Sequence, residues 1–243
     1  MVAMDIALIA ALAIFLVAWW VRATPRRPQV LLVSSTAALL VGAYAVWDLR
    51  WQAAVGAMVA VAALLVLLVN RLRKANRTTG VPWVTGTLFA LLVAAAIVPL
   101  ALFPIAPLPK PTGPHPVGVR DFEVADASRP GLFAAGPGEP RRLLVRVWYP
   151  AGETRGLKRR PYFTDAEART TARSVGELFG FPPFAMHQKH VATNSFQDAP
   201  LQPGARALPV VFYSHGYTSY LGQNTVLMEH LASHGYVVFS VQH

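Results

Sequence analysis

The sequence predicts an α-helical membrane bundle of four spans, followed by a domain of the α/β class. Three observations predict it: four long apolar stretches in the first 103 residues, a proline-rich spacer after them, and a strand–helix–strand pattern at the carboxyl-terminal end. The chain is 54% hydrophobic and its mean hydropathy is +0.40, which is more apolar than a typical soluble domain. Composition alone therefore favours a membrane portion.

The four apolar stretches are close to the length that crosses a bilayer, because about 20 helical residues span ~30 Å of hydrocarbon. No Lys or Arg precedes the first stretch, so its charge layout is the reverse of that of a signal peptide. The predicted spans cover residues 6–21, 30–47, 53–69 and 83–103.

Basic residues predict the side of the membrane that each loop faces. The loop after the second span carries Asp48 and Arg50, whereas the loops after the first and third spans are strongly basic. Basic loops stay on the cytoplasmic side. We therefore expect a multi-pass protein of the cell membrane with both termini, and the domain after the spans, outside the cytoplasm. The basic loop residues are Arg22, Arg26 and Arg27, and then Arg71, Arg73, Lys74 and Arg77.

Charge and composition exclude several classes of function. Eight of the 22 basic residues precede residue 104, but only two of the 12 acidic residues do. Much of the net charge of +10 therefore follows from membrane topology. That charge gives little support for nucleic-acid binding. No ionisable residue lies in the middle of a span, which argues against a transporter or proton pump. The absence of cysteine excludes disulfides and cysteine-based zinc sites.

The last 36 residues predict a strand–helix–strand unit. Residues 208–213 are an apolar run rich in valine and phenylalanine, as expected of a buried parallel strand. A helix capped by Asn224 or Thr225 follows, and Gly235 supplies a left-handed stop. Residues 236–241 form a second apolar strand, and two strands joined in this way pair in parallel.

Five segments of the second half form a consistent pattern. They are VGVRDFEVADASRPG (117–131), RRLLVRVWYPAG (141–152), HVATNSFQDAPL (190–201), SHGY (214–217) and LASHGYVVFSVQH (231–243). In this order they resemble the platelet-activating-factor acetylhydrolase-like branch of the α/β-hydrolases. The resemblance covers residues 117–243, behind a linker at 104–116, and implies the amino-terminal half of an α/β-hydrolase domain.

The resemblance also implies a function. It implies a membrane-anchored serine ester hydrolase that acts on a lipid-like or small acyl ester through a Ser-His-Asp triad, with no metal or organic cofactor. Residues 119–124 and 143–149 would be its opening strands, and a helix capped by Thr164 is predicted over 165–179. In lipases and esterases such an inserted helix lies beside the acyl pocket; the alternative is surface decoration.

Within this resemblance, the SHGY turn carries the predicted chemistry. The first strand-to-helix turn of this fold offers a backbone N–H to the oxyanion of the tetrahedral intermediate, and we assign that donor to Tyr217. His215 and Gly216 shape the turn, with His215 as a brace and not a base. The alternative is an ordinary turn that happens to contain His-Gly. Family members usually carry another glycine next, where this chain has Thr218 and Ser219.

Ser214 is not predicted to be the nucleophile. A nucleophile elbow needs glycine two residues before and two after the serine, but Phe212 precedes Ser214, and no G-x-S-x-G occurs in the chain. By resemblance the triad would follow His243, so we expect this chain to be incomplete and inactive. His243 itself is a candidate pocket residue. The alternative is a non-catalytic membrane protein that keeps a hydrolase-like interaction module.

Two histidine pairs have spacings that a metal site can use. His187 and His190 are three residues apart, and His230 and His234 are four apart. The second pair lies in EHLASH and not in an H-E-x-x-H motif, and no third ligand is evident. Packed or surface histidines, without a metal, are therefore predicted.

Overall fold

The fold was obtained as a computed structural model, in which the chain divides into two compact units, Met1–Ile105 and Ala106–His243. The described residues are 3–21, 24–72, 83–131 and 139–242. Of the basic loop residues used to predict topology, those outside the described ranges are Arg22, Arg73, Lys74 and Arg77.

The described part of the first unit contains four long apolar helices. These are α1 (Ala3–Trp20), α2 (Arg27–Trp47), α3 (Ala54–Leu72) and α4 (Trp83–Leu102), with a single 3-10 turn, Trp51–Ala53, before α3. Each is long and apolar enough to cross a membrane. The prediction of four apolar helices is confirmed, and the first two begin three residues earlier than the sequence pattern indicated.

Small residues allow these helices to approach closely. A Cβ added to Gly42 of α2 would lie 2.9 Å from the nearest atom of α3. Cβ atoms at Gly56 and Gly86 would come equally near to side chains of α1. Close approach at small residues is how membrane helices gain packing energy, because lipid gives them no hydrophobic drive to associate.

A buried ion pair lies at helix ends of the bundle. Asp5 on α1 pairs with Arg50 in the turn between α2 and α3, and both side chains are almost fully buried. Gln52 donates to the carbonyl oxygen of Phe103 at 3.1 Å. Pairing offsets the cost of burying the two charges, which would be large for either one alone.

The described part of the second unit contains a six-stranded mixed sheet with the order β3-β4-β1-β2-β6-β5. β1 and β2 are antiparallel, whereas β5 and β6 are parallel. The strands are β1 (Val117–Pro130), β2 (Pro140–Pro150), β3 (Arg159–Pro161), β4 (Ala192–Gln197), β5 (Val210–Ser214) and β6 (Val237–Val241). The described helices of this unit are α5 (Asp165–Arg169), α6 (Thr171–Leu178) and α7 (Thr225–Ser233).

The predicted strand–helix–strand unit is confirmed by β5, α7 and β6. Gly235, with φ of +95°, follows the end of α7 as expected. The predicted cap position is confirmed for Asn224, but its side chain makes no capping hydrogen bond, and its amide donates to the Tyr213 hydroxyl at 2.7 Å. Thr225 instead donates to the carbonyl oxygen of Gly222.

α7 covers one face of the sheet. Met228 and Ala232 are fully buried against Val119, Trp148 and Val238, which belong to β1, β2 and β6. Complete burial of a large apolar side chain stabilises the fold by about 1.5–3 kcal/mol relative to its exposure. This packing fixes where α7 begins, and hence the length of the loop between β5 and α7.

β5 forms one edge of the described sheet. Phe212 on this strand is 77% exposed and stacks on Phe239 of β6, with ring centroids 5.4 Å apart. An edge strand without charged residues presents unpaired backbone groups and apolar side chains together. Within the described residues, the sheet therefore has an apolar edge at β5.

Candidate oxyanion turn

The candidate site lies where β5 ends and the chain turns towards α7. Ser214 is the last residue of β5, and His215, Gly216 and Tyr217 follow it in the turn. In open sheets with parallel strands, ligands bind beyond the carboxyl ends of the strands. The parallel strands β5 and β6 both end at this edge of the sheet. His243, the candidate pocket residue, lies outside the described residues.

His215 is held in a defined orientation. Its buried ring places Nδ1 3.0 Å from the carbonyl oxygen of Gly216 and Nε2 3.1 Å from the amide nitrogen of Gln242. A carbonyl oxygen can only accept and an amide nitrogen can only donate, so Nδ1 donates and Nε2 accepts. The ring thus connects the turn to Gln242, the residue that directly follows β6.

Gln242 completes this arrangement and was not predicted from the sequence. Its Oε1 accepts from the backbone N–H of Leu221 at 3.1 Å, which fixes the amide so that Nε2 faces His215. Its own backbone N–H donates to the carbonyl oxygen of Leu144 at 2.9 Å. The side chain of Gln242 therefore joins the turn to the following loop, and its backbone joins both to the sheet. A polar residue directly after an apolar strand was the signal that could have identified it.

The turn leaves open space beside a backbone donor. A Cβ added to Gly216 would meet no described atom within 4 Å, and its φ is not in the left-handed region. Backbone conformation therefore does not require glycine here. Among the described residues none accepts from the N–H of Tyr217, whose side chain is 98% exposed. A backbone N–H without an acceptor can donate to an oxygen atom of a bound molecule.

Thr218 holds a backbone conformation that usually favours glycine. Its φ is +61°, and its hydroxyl donates to the carbonyl oxygen of Tyr217 at 2.6 Å. A β-branched residue in the left-handed region costs on the order of 1–3 kcal/mol. Thr218 therefore holds a backbone conformation that a glycine at this position would adopt without strain.

Two aromatic residues just before α5 contact the loop after the turn. The hydroxyls of Tyr162 and Tyr220 lie 2.8 Å apart, and Phe163 packs on Tyr220 with ring centroids at 5.1 Å. Tyr162 also donates to the carbonyl oxygen of Gln223 at 3.3 Å. Burial raises the pKa of both tyrosines, so both remain protonated donors at neutral pH. Tyr162 and Phe163, which precede the helix predicted over 165–179, therefore lie beside the loop that follows the candidate turn.

Two buried arginines and two half-buried carboxylates form a charge cluster next to this loop. Arg146 Nε lies 2.6 Å from Asp121 Oδ1, and its Nη2 lies 2.5 Å from Glu167 Oε1. Arg160 Nη2 contacts the same two carboxylates at 3.0 and 2.8 Å. Burial alone would raise the pKa of Asp121 and Glu167, but the two arginines outweigh it and hold both pKa values low. The cluster ties α5 to β1 and β2.

The predicted histidine pairs form no evident metal site. His187 and His190 lie in the 3-10 turn Met186–His190. The rings of His230 and His234 are 4.7 Å apart, and His234 Nε2 lies 3.3 Å from the hydroxyl of Thr112. Within the described ranges no group of three or more His, Cys, Asp or Glu side chains could hold a metal ion.

The chain is similar to two groups of known proteins. The family described as "Platelet-activating factor acetylhydrolase, isoform II" matches residues 101–243. Among solved structures, a ferulic acid esterase from Streptomyces cinnamoneus is 28% identical, with a TM-score of 0.47, and the match covers 57% of this chain and 36% of the esterase. The chain thus spans about a third of the length of that esterase. No curated protein matches it.

Proposed function

This chain belongs to the platelet-activating factor acetylhydrolase, isoform II, family, and on that premise we propose that it forms part of a membrane-anchored carboxylic ester hydrolase. The substrate class is a lipid-like or small acyl ester. The observation that carries the proposal is the turn after β5, where the Tyr217 N–H stands beside open space and is held by the His215–Gln242 contact.

The proposed chemistry is acyl transfer. A serine attacks the ester carbonyl while a histidine takes its proton, the alcohol leaves with that proton, and water then hydrolyses the acyl-enzyme. The carbonyl oxygen becomes an oxyanion during each attack, and Tyr217 N–H donates a hydrogen bond to it. Removing one such donor in other hydrolases lowers the rate by about 10²–10³.

Ser214 is not the nucleophile in this proposal. It ends β5 next to the buried His215, and Phe212 stands where an elbow has its first glycine. We assign the serine, the acid and the base to no residue among the 243. Accordingly, these residues alone are proposed to be inactive in ester hydrolysis.

Membrane anchoring and sidedness belong to the same proposal. Four apolar helices of spanning length support anchoring, and the basic loops after the first and third spans support an extracytoplasmic position for residues 117–243, behind the linker at 104–116. Such an anchor would keep the hydrolase domain near lipid substrates.

A non-catalytic role as an interaction module is the second candidate. The exposed apolar edge at β5, with Phe212 77% exposed, favours it, because such an edge pairs readily with another strand. The activity test below separates it from the enzyme.

A fluorophosphonate probe tests the enzyme directly. We would apply it to the native protein, immunocaptured from membranes of its source cells with an antibody against residues 140–242, and to the recombinant 243-residue chain. We expect labelling of one serine in the native protein, with loss of ester hydrolysis, and no labelling of the recombinant chain. Absence of labelling in the native protein would favour the interaction module. Labelling at Ser214 would show that its rejection is wrong.

A further inference from the structure

A groove lies on the outside of the helical bundle, where the end of α1 meets the start of α2. Its volume is about 410 Å³. Ile14, Val17 and Val21 on one side and Val30 on the other form aliphatic walls, and all four side chains are exposed. Apart from Thr24 and Arg27 at one end, the lining is apolar, as expected of a surface that faces lipid.

Arg27 stands at one end of the groove in a fixed position. Its Nε donates to the carbonyl oxygen of Ala18 at 3.0 Å, and its Nη2 donates to that of Trp19 at 2.6 Å. The last carbonyls of a helix have no partner within the helix, so Arg27 caps α1 from the next helix. A charged group that is already ordered binds a ligand with a smaller loss of entropy.

The charge at this end has no counterpart in the neighbouring sequence. No Asp or Glu occurs between Asp5 and Asp48, whereas Arg26 and Arg27 lie together at the start of α2. Asp5 is already paired with Arg50, which lies beyond the other end of α2. An anion from outside the chain would complement the two arginines.

The length of the groove fits an acyl chain. Along α1 the lining residues run from Ala13 to Val21, which is roughly 12 Å at the helical rise per residue. One leaflet of the hydrocarbon core is about 15 Å deep. A small soluble anion would need the arginines but not the aliphatic walls.

We infer that this groove binds an anionic phospholipid, with one acyl chain against Ile14, Val17 and Val30 and the phosphate at Arg27, the basic residue that lines it. The inference rests on the membrane location proposed above and adds a binding site to it. Basic residues at the end of a span, next to a lipid-facing groove, are the usual recognition chemistry for acidic headgroups.

Native mass spectrometry of the full chain in detergent tests the inference. Three probes are compared: phosphatidylglycerol, phosphatidylcholine with the same acyl chains, and soluble glycerol phosphate. Val17→Trp fills the groove, and Arg27→Gln removes the charge. Leu40→Trp is the matched control, because Leu40 is 66% exposed on α2 but does not line the groove.

We expect retention of one phosphatidylglycerol, at least tenfold above phosphatidylcholine, with no retention of glycerol phosphate. Val17→Trp should lower that retention at least tenfold, and Leu40→Trp should leave it unchanged. Equal retention of the two lipids, or retention that Val17→Trp does not lower, would overturn the inference. Competition by glycerol phosphate would show that the headgroup alone is recognised, which also overturns it.

Two further considerations distinguish failure of the lipid-binding inference from failure of the proposed membrane anchoring. Arg27→Gln can loosen the end of α1, so the decision depends on Val17→Trp and its control. Carbonate extraction of the cells reports membrane embedding independently. A chain that stays in the membrane but shows no lipid preference contradicts only the groove, whereas a chain that carbonate releases contradicts the anchoring itself.

Discussion

The side chain of Gln242 uses both ends of its amide at the candidate site. The oxygen accepts from Leu221 and the nitrogen donates to the ring of His215. A glutamate could not donate to the ring, and a leucine could do neither. Because the His215 ring in turn donates to Gly216, the position of the oxyanion turn depends on a residue 26 positions away in the chain.

The first prediction is that Gln242→Leu loosens the loop after the turn. The change leaves the Leu221 N–H without its acceptor, which costs about 1–3 kcal/mol for a buried group. Amide hydrogen exchange of peptides covering 214–224 should therefore accelerate about tenfold or more. Gln202→Leu is the control, because no described residue bonds to the Gln202 side chain. Equal exchange in the two variants would contradict the proposed role of Gln242.

Sequence patterns identified the residues of the turn because His215, Gly216 and Tyr217 form one local motif. They did not identify Gln242 or Arg146, since the partners of these side chains lie 20 or more residues away. A charged residue in the apolar run LLVRVWY was a visible signal of a buried ion pair. The carboxylates that pair with Arg146 are determined by the register of the strands. A local sequence pattern does not contain that register.

At the scale of elements, a buried carboxylate joins α7 to β4. Glu229 is fully buried and accepts from the backbone N–H of Asn194 at 2.7 Å, from its side-chain amide at 3.0 Å and from the hydroxyl of Ser195 at 2.6 Å. Three donors meet its two side-chain oxygens, and a buried donor left without its acceptor costs about 1–3 kcal/mol. The contact therefore fixes α7, and with it the end of the β5–α7 loop.

The second prediction is that Glu229→Gln destabilises the second unit, although the glutamine side chain has nearly the same shape as the glutamate side chain. The amide nitrogen of the new glutamine would face at least one of the three groups that now donate to Glu229. At least one hydrogen bond would therefore be replaced by a contact between two donors. We expect a loss of about 2 kcal/mol in the free energy of unfolding, measured by thermal melting of the full chain in detergent. Glu177→Gln, which affects only an exposed pair with Arg173, should cost below about 0.5 kcal/mol. Equal melting temperatures would be inconsistent with this account.

Element boundaries were less predictable than element types. The helix predicted over 165–179 exists as two helices, α5 and α6, separated at Thr170, whose φ and ψ of −110° and −83° are not helical. The predicted cap at Thr164 is present and forms a capping box with Glu167. Local hydrogen bonding could be predicted from the sequence, but the break could not, because no glycine or proline marks it.

At the scale of the whole molecule, the third prediction concerns sidedness. The chain has no cysteine, so single cysteines report accessibility without background. In intact cells, Ser128→Cys should react with a membrane-impermeant maleimide, whereas Thr24→Cys should react only after permeabilisation. The reason is that basic loops stay in the cytoplasm. The opposite pattern of labelling would contradict the proposed topology.

The fourth prediction is that residues 117–243 expressed alone aggregate. Phe212 is 77% exposed on the uncharged edge strand β5, and free backbone groups beside it can pair with other copies. Size-exclusion chromatography should show large species, and Phe212→Lys should reduce them because an edge charge opposes pairing. A soluble monomer that melts cooperatively without the substitution would refute this prediction.

The fifth prediction tests the oxyanion turn most directly, by the esterase activity of the native protein carrying Gly216→Val. No described atom lies within 4 Å of a Cβ at this position, so we expect unchanged amounts and melting temperature. The valine would fill the space beside the Tyr217 N–H, and kcat/KM for a short acyl ester should fall by about 10² or more. Full activity in a folded Gly216→Val protein would contradict the assignment of the turn.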